Sequence, residues 1–304
     1  MPEPESFPLD LSKQSVKSSG ADIFPEYLDN MLFFIKDNKE LMLTRINRAF
    51  NARCDIITQS QVLQALKCTI YTKRNWRILG TKFQDAYYLC LAEPIFQAVT
   101  PEASQTERIC QNLETKLKRF LYSDTPKKQH LRTERDGGKF YKVFQVEMDE
   151  LTVVYESPMG ATCNRAKNSF TDCKVIPPLF STHDASRFSQ SDLELSWWSE
   201  CSLNGVEEIC VARPKPSGHV DAIELISSAS LIAKNSEMWS VEKCNNCMIY
   251  ILRQICNAME VNCPDTVYQF EYDSNSSNII VGANYERSEM TFIADWYRRI
   301  LKRE

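Results

Sequence analysis

The spacing of apolar residues changes along the chain from helical to strand-like. In "PEYLDNMLFFIKDN", residues Leu28, Met31, Leu32 and Ile35 fall on one face of a helix, with Pro25 at its start. The same spacing predicts helices in "ITQSQVLQALKC" and "SQTERICQNLETKLKRFLY", whereas "KFQDAYYLCLA" predicts a core strand or a short helix. Helices are therefore expected to come first in the fold.

From residue 140 onward the pattern predicts mostly strands. Short runs rich in β-branched and aromatic residues are separated by turn residues, and a helix is expected near 241–259. This order predicts one mixed α+β domain over residues 23–304, and the Ser-, Pro- and Lys-rich residues 1–22 predict a flexible leader. The runs are "FYKVFQVEM", "LTVVYE", "TDCKVIP", "VEEICVARP", "HVDAIELIS", "TVYQFEYD" and "NIIVGANYE".

Composition limits the classes of function. With 43% apolar and 25% charged residues, the 304-residue chain has the balance of a globular protein. Its net charge of −4 argues against a surface that holds nucleic acid by overall positive charge. No apolar run approaches the length of a membrane span, and "MPEPESFPLD" lacks the features of a signal peptide. We therefore expect an intracellular protein without a membrane association.

The twelve cysteines are scattered, and only Cys244 and Cys247 form a CxxC pair. A zinc site needs two more ligands, and the three histidines are isolated from one another. Because the pair begins the amphipathic run "CNNCMIYILRQICNAME", a core helix is the favoured interpretation, with a metal or redox site as the alternative. The thiols are expected to be reduced and mostly buried.

Three local features have a structural and a functional interpretation. Glu147 and Asp149 in "EMDE" could pair on a metal from one strand face, but a solvated hairpin tip is favoured. The basic runs "KLKRF" and "TPKKQHLR" could contact phosphates, although a solvated charged face is the simpler prediction. Trp197 and Trp198 could stack on a base, and burial is favoured.

The segment "SPMGATCNRAKNSFTDCKVIPP" at 157–178 predicts two short strands joined by a polar connection. Some nucleases carry their metal-binding acids on such a pair of strands. Here the first strand has Pro158 and Gly160, and the second has Asp172 and Lys174. Pro and Gly supply no side-chain oxygen, so this pair lacks most of the ligands that a hard cation needs.

Several segments in order resemble the Rai/DXO family of RNA 5′-end decapping and 5′–3′ exonuclease enzymes. They span about residues 26–298 and include "CDIITQSQVLQALKCTIYTKRNW", "KRFLYSDTPKKQ", "LTVVYESPMGAT", "TDCKV", "LELSWWSECSLNGVEEICVARPKPSGHVDAIELI" and "TFIADWYRR". The resemblance implies an α/β (mixed α+β) fold with two twisted mixed β-sheets and flanking helices.

The resemblance also implies where a cation site would lie and that it is degenerate. Ser60 stands for the family's arginine, Lys128 for the second-motif glutamate, and Pro158 and Gly160 for the acids of GExD. Asp172 and Lys174 match the ExK motif, and Glu200 stands for a glutamine after the paired Trp. "LGTKFQ" offers Gln84 as another match for the second motif, without a carboxylate either. Six of the positions are expected to line one cleft that holds no cofactor or metal. They are Ser60, Lys128, Pro158, Gly160, Asp172 and Lys174.

Within the family, the chain resembles a germline member that lacks the catalytic residues. That similarity implies a nuclear, non-catalytic role in the piRNA pathway, at cluster chromatin, with Deadlock and through it Rhino as partners and with weak or indirect contact to nascent RNA. Two alternatives stay open. One is an active metal-dependent decapping exonuclease using Glu147, Asp149, Glu156 and Asp172, and the other is a scaffold that does not contact RNA.

Overall fold

A computed structural model of the chain describes residues 9–10, 27–38, 55–92, 112–118, 121, 140–162, 170–176, 190–215 and 217–301. These residues form two compact units, each built from separate stretches of sequence. The four-strand unit takes its described residues from 1–21, 98–141 and 158–239, and the seven-strand unit takes them from 22–97, 142–157 and 240–304. The single domain over 23–304 stays a prediction, and the predicted leader lies outside the described residues except for 9–10.

The helices of the described chain number seven. They are α1 Asp29–Asp37, α2 Ser60–Cys68, α3 (residues 112–118, with residue 121 also helical), α4 Gln190–Asn204, α5 Ser228–Lys234, α6 Val241–Ala258 and α7 Asp295–Leu301. Serine N-caps, Ser227 and Ser240, precede helices α5 and α6. Each serine side chain accepts a hydrogen bond from the backbone amide three residues later. None of the described helices is long and apolar enough to cross a membrane.

The seven-strand unit is organised around one mixed sheet. Its strands are β2 Asp55–Gln59, β3 Trp76–Phe83, β4 Ala86–Leu91, β5 Phe140–Met148, β6 Leu151–Met159, β12 Val267–Asp273 and β13 Asn278–Asn284. They lie in the order β13-β12-β3-β4-β2-β6-β5. Strand β2 pairs in parallel with β4 and β6, while β12 pairs antiparallel with β13 and β3, and β3 pairs antiparallel with β4.

Two tight turns in this sheet contain residues with positive φ. Gln84 (φ 49°) and Asp85 (φ 61°) join β3 to β4, so "KFQDAYYLCLA" spans a hairpin rather than one strand or helix. Asp149 (φ 54°) and Glu150 join β5 to β6. Short polar side chains tolerate this conformation better than branched ones. The prediction that "EMDE" forms a hairpin tip is confirmed.

The core of this unit receives the apolar face of α1, as the sequence predicts. Met31, Leu32 and Ile35 are buried, and α1 contacts α7. Tyr297 of α7 is also buried, and its hydroxyl lies 3.1 Å from the hydroxyl of Tyr88 on β4. This hydrogen bond satisfies both phenols inside the core.

Helix α6 confirms the structural interpretation of the CxxC pair. Cys244, Met248, Leu252 and Ile255 are buried on the inner face of α6, whereas Cys247 is only partly buried. Of the nine cysteines that the structure describes, seven are buried, as predicted for most of the thiols.

The four-strand unit contains a second mixed sheet. Its strands are β7 Ala161–Thr162, β8 Phe170–Val175, β9 Val206–Ala212 and β11 Ile223–Ser227, in the order β11-β9-β8-β7. Strands β8 and β9 are parallel and are connected through α4, because a parallel pair needs a crossover. Part of the predicted pair of short strands in 157–178 is confirmed, since β7 and β8 pair antiparallel. Pro158, predicted on the first of these strands, instead lies at the end of β6, and Gly160 lies between β6 and β7. Two further short strands, β1 Leu9–Asp10 and β10 His219–Val220, also pair.

The α/β class with two mixed sheets and flanking helices is confirmed. The expected order of helices before strands is wrong, because β2, β3 and β4 lie in the first part of the chain. The helical spacing in "ITQSQVLQALKC" does not indicate β2, because the five residues of this strand run directly into α2. The burial of Trp197 and Trp198 on α4 is confirmed, with 5% and 3% of each residue exposed.

Candidate functional site

The candidate site is centred on strand β8 of the four-strand unit. Asp172 and Lys174 are separated by one residue, so both side chains lie on the same face of the strand. Both are buried, at 6% and 4% exposure, and Lys174 Nζ lies 3.1 Å from Asp172 Oδ2. The backbone amide of Cys173 donates a 2.8 Å hydrogen bond to Asp172 Oδ1. The strand therefore holds a preformed acid–lysine pair.

Helix α4 adds the third predicted residue of this group. Glu200 lies near the C-terminal end of α4, and its Oε2 accepts a 2.7 Å hydrogen bond from Lys174 Nζ. Asp172, Lys174 and Glu200 thus meet in the four-strand unit. Lys174 lies between the two carboxylates, at salt-bridge distance from each.

Helix α3 contributes two residues that the sequence did not assign to a site. Lys118 Nζ lies 2.9 Å from Asp172 Oδ1 and 3.0 Å from Glu114 Oε1, while Lys174 Nζ lies 3.7 Å from the same Glu114 oxygen. The only available signal was the i,i+4 spacing of Glu114 and Lys118 in "ETKLKRF". That pattern is typical of a solvated helix face, so the contact with β8 could not be inferred.

Opposing effects set the ionisation of this cluster. Burial raises the pKa of Asp172, but the ammonium groups of Lys174 and Lys118 outweigh burial and hold that pKa well below its usual range. Burial likewise lowers the pKa of Lys174, whereas the carboxylates of Glu114, Glu200 and Asp172 raise it well above its usual value. Asp172 and Lys174 are therefore both charged near neutral pH.

Glu200 differs from Asp172 in the direction of its pKa shift. Burial and repulsion from Asp172 raise the pKa of Glu200, and the attraction of Lys174 and Lys118 offsets only part of that effect. Three carboxylates face two ammonium groups, so one of the acids is in excess.

Pro158 and Gly160 belong to the same unit, at the end of β6 and just beyond it. The backbone carbonyl of Pro158 accepts a hydrogen bond of 3.5 Å from Asn204 Nδ2. A β-carbon at Gly160 would lie 2.6 Å from Asp172 Oδ1, so the strand passes against the acid without space for a side chain. Residues 157–162, "SPMGAT", contain no carboxylate.

Ser60 belongs to the seven-strand unit, where it begins α2. Ser60 is 5% exposed, and its hydroxyl accepts a 2.8 Å hydrogen bond from the hydroxyl of Ser157. Lys128 lies outside the described residues. The shared cleft for Ser60, Lys128, Pro158, Gly160, Asp172 and Lys174 stays a prediction. Gln84, the other match for the second motif, lies in the β3–β4 turn. Its side-chain amide donates a hydrogen bond to the backbone carbonyl of Leu301.

The alternative acid pair has a different environment. Asp149 is in the β5–β6 turn, and its carboxylate pairs with Arg253 on the surface at 2.7 Å. Glu147 is exposed, whereas Glu156 is only 3% exposed and lies 3.5 Å from the side-chain amide of Gln59. Glu147 and Asp149 therefore do not point from one face of a strand, because β5 ends at Met148 and Asp149 lies in the turn.

The oxygen donors of the β8 cluster do not fit a divalent cation as they stand. Such an ion is held by several converging oxygen ligands, usually carboxylates without competing cations. Here the oxygens of Asp172 and Glu114 that face inward already contact the ammonium group of Lys118. Among the residues described, no group of three or more His, Cys, Asp or Glu side chains has the arrangement of a metal site.

Comparison with known proteins gives the family. The model of the RAI1-like PD-(D/E)XK nuclease family matches residues 1–298, so this chain belongs to that family. Its Asp172-Cys173-Lys174 fits the (D/E)XK part of the family name, while residues 157–162 contain no acid.

Two relatives from Drosophila melanogaster are similar along most of the chain. Protein cutoff is 28% identical over 288 residues, which cover 90% of this chain and 74% of that protein. Decapping and exoribonuclease protein Rai1 is 23% identical over 296 residues, covering 90% and 76%. The crystal structure of Scheffersomyces stipitis Rai1 in complex with (3′-NADP)+ and calcium ion has a TM-score of 0.67 and 11% identity, and covers 90% of this chain and 78% of that one. That likeness shows the shared fold.

Proposed function

We propose that this chain is a non-catalytic member of the nuclease family that acts in the nucleus as a subunit of a piRNA-cluster transcription complex. In this role it protects nascent piRNA precursors from 5′-end processing, termination and splicing, and so supports RNA-mediated gene silencing in the germline during oogenesis. Deadlock, and through it Rhino, are the proposed partners at cluster chromatin. The similarity to Protein cutoff motivates this proposal.

The observation that carries the loss of catalysis is the pairing of Asp172 with two lysines. Its Oδ1 lies 2.9 Å from Lys118 Nζ and its Oδ2 lies 3.1 Å from Lys174 Nζ. The two ammonium groups repel an approaching Mg²⁺ or Mn²⁺ ion and so offset the attraction of this carboxylate. Pro158 and Gly160, at the positions that the resemblance assigns to two further acids, supply none. Together these features support a pseudoenzyme.

Hydrolysis of defined RNA substrates tests this part of the proposal. The purified chain is incubated with Mg²⁺ or Mn²⁺ and RNA carrying a 5′-triphosphate, a 5′-monophosphate or an unmethylated cap. The Drosophila Rai1 protein serves as a positive control in the same assay. We expect no turnover above the rate without protein. Turnover that disappears in Glu147→Ala or Asp149→Ala would instead establish an active decapping or 5′–3′ exonuclease.

Binding to Deadlock is proposed at the exposed edge of the seven-strand sheet, apart from the β8 cluster. Strand β13 is last in the strand order, so one of its edges pairs with no described strand. Ile280 and Val281 in its middle are 63% and 51% exposed, and Tyr285 just beyond it is 64% exposed. The strand contains neither Lys nor Pro, the residues that usually protect such an edge. An extended Deadlock segment with apolar side chains could add here as a further strand.

Charged substitutions on β13 test whether this strand edge is the binding surface for Deadlock. Ile280→Lys and Val281→Lys should weaken co-purification with Deadlock fragments at least about tenfold, because each places an ammonium group in an apolar contact. Tyr250→Lys, on α6 at 63% exposure in the same unit, is the matched control and should bind as wild type. Loss of binding only in Asp172→Asn, Lys174→Met or Glu200→Gln would favour retained binding of RNA ends instead.

A further inference from the structure

The ammonium group of Lys118 has an environment typical of a bound cation. It lies between an oxygen of Asp172 at 2.9 Å and an oxygen of Glu114 at 3.0 Å. These two acids come from different elements, strand β8 and helix α3, and converge on one point. Convergence of carboxylate oxygens from separate elements is the arrangement that hard cations use in proteins. In this chain the positive charge at that point belongs to the chain itself.

A second ammonium group closes the remaining side of the cluster. Lys174 Nζ contacts Asp172 Oδ2 at 3.1 Å, Glu200 Oε2 at 2.7 Å and Glu114 Oε1 at 3.7 Å. Lys174 is 4% exposed and buried within the unit, whereas the Lys118 side chain is 33% exposed and reaches the cluster from the solvent side. Lys118 is therefore the ammonium group whose removal would leave an opening to solvent.

The charge balance shows what that removal would do. Among the residues that the structure describes, three carboxylates and two ammonium groups leave the cluster with an excess of one negative charge when all are ionised. Without Lys118 the excess rises to two, which equals the charge of Mn²⁺ or Ca²⁺. The freed oxygens of Asp172 and Glu114 would then face the opening, and Glu200 lies on the other side of Lys174. Repulsion among these acids favours uptake of a cation.

An ordinary helix-surface ion pair is the simpler interpretation of Lys118, since Glu114 precedes it by four residues. That interpretation does not account for the contact with Asp172, which belongs to a buried strand and whose side chain is 8% exposed. Surface pairs contribute little and rarely involve such a buried acid. The contact with Asp172 thus places Lys118 in the cluster rather than on its surface alone.

We infer that Lys118 is a built-in counter-cation, whose ammonium group occupies the space between Asp172 and Glu114 and excludes divalent cations from the β8 cluster. This inference rests on the proposed loss of catalysis, for which it supplies a physical cause. It predicts a latent cation site that a single substitution opens. The ligands of that site would be the oxygens of Asp172 and Glu114, with the carboxylate of Glu200 nearby.

Cation binding without RNA tests the inference. Binding of Mn²⁺ and of Ca²⁺ to the full chain is measured by titration calorimetry and by the shift of Tm, for wild type, Lys118→Met, Lys118→Arg and Lys118→Met/Asp172→Asn. We expect Lys118→Met to bind at least about tenfold more tightly than wild type, with a saturable rise in Tm. Lys118→Arg keeps the positive charge and should resemble wild type. The double variant should lose the gain, because it lacks the central acid.

Two results would overturn the inference. One is binding by wild type as tight as by Lys118→Met, and the other is equal binding by Lys118→Met and the double variant. If Lys118→Met does not fold, Lys118→Gln, which can still donate a hydrogen bond, replaces it with the same expectations. The RNA hydrolysis assay is separate, so the two proposals fail independently. Wild type that hydrolyses RNA, while Lys118→Met still gains cation binding that depends on Asp172, refutes only the proposed function. Wild type that binds the cations as tightly as Lys118→Met, without hydrolysis, refutes only the counter-cation.

Discussion

Gly160 lies so close to Asp172 that a β-carbon on Gly160 would be 2.6 Å from Asp172 Oδ1. The same β-carbon would be 2.7 Å from the backbone carbonyl oxygen of Thr171. Contacts this short require the backbone of β8 or the end of β6 to move, because neither a carbonyl group nor a paired carboxylate can rotate away freely. In this chain an acid at position 160 could not enter the cluster without rearranging the strand that holds Asp172.

Gly160→Ala should therefore destabilise the protein by about 1–3 kcal/mol, the usual cost of forcing extra atoms into a packed site. Urea unfolding followed by circular dichroism measures this change. Gly282→Ala on β13 is the matched control, since a β-carbon there meets nothing within 4 Å, and its effect should stay within about 0.5 kcal/mol. Equal effects of the two substitutions would show that the close approach at Gly160 is absent.

The two lysines of the cluster should differ in their contribution to stability. Lys174→Met removes a buried ammonium group and leaves Asp172 and Glu200 without their shared partner, at a cost of about 3–5 kcal/mol. Lys118→Met removes a group that is 33% exposed and should cost about 1 kcal/mol. The free energy of unfolding from urea titrations distinguishes them. A larger decrease in the free energy of unfolding for Lys118→Met than for Lys174→Met would contradict the burial of Lys174.

Acid titration should show the contribution of Asp172. Its pKa is lowered in the folded state, because Lys174 and Lys118 outweigh the effect of burial. The stabilisation is therefore complete above the unfolded value of about 3.9 and is lost as the pH falls toward the folded value. The stability gap between wild type and Asp172→Asn should be constant above about pH 5 and should narrow below about pH 4. A gap that widens on acidification would mean that Asp172 is not paired.

Thiol labelling should distinguish core cysteines from peripheral ones. Burial raises the pKa of Cys201 and of Cys244 to about 12, so both thiols are protonated as well as inaccessible near pH 8. Cys263 is only partly buried and should react first with iodoacetamide, as detected by peptide mass spectrometry. After unfolding in urea all three should be labelled alike. Rapid native labelling of Cys244 would contradict the packing of α6.

Local patterns predicted part of the site. The one-residue spacing of Asp172 and Lys174 in a strand puts both on one face whatever the surrounding fold, and the alternation of "FTDCKV" was sufficient to predict that strand. Helix α6 was equally predictable, because its apolar positions recur with helical spacing over many residues. The tip at Asp149 followed from a polar dipeptide between two strand-like runs.

Other features depended on contacts between distant parts of the chain. Glu114 and Lys118 form an ordinary helical pair in the sequence, and only the packing of α3 near β8 brings Lys118 to Asp172. The edge position of β13 follows from the order of strands in the sheet, which the apolar pattern of one strand does not encode.

The sequence by itself therefore determined which residues lack carboxylates, namely Pro158 and Gly160, and which strand carries the acid–lysine pair. The tertiary structure decided which positively charged groups neutralise the acids that remain, because electrostatic pairing depends on separations of about 3–4 Å that only the folded chain defines. It also decided that Gly160 has no space for a side chain, since that constraint comes from the neighbouring strand.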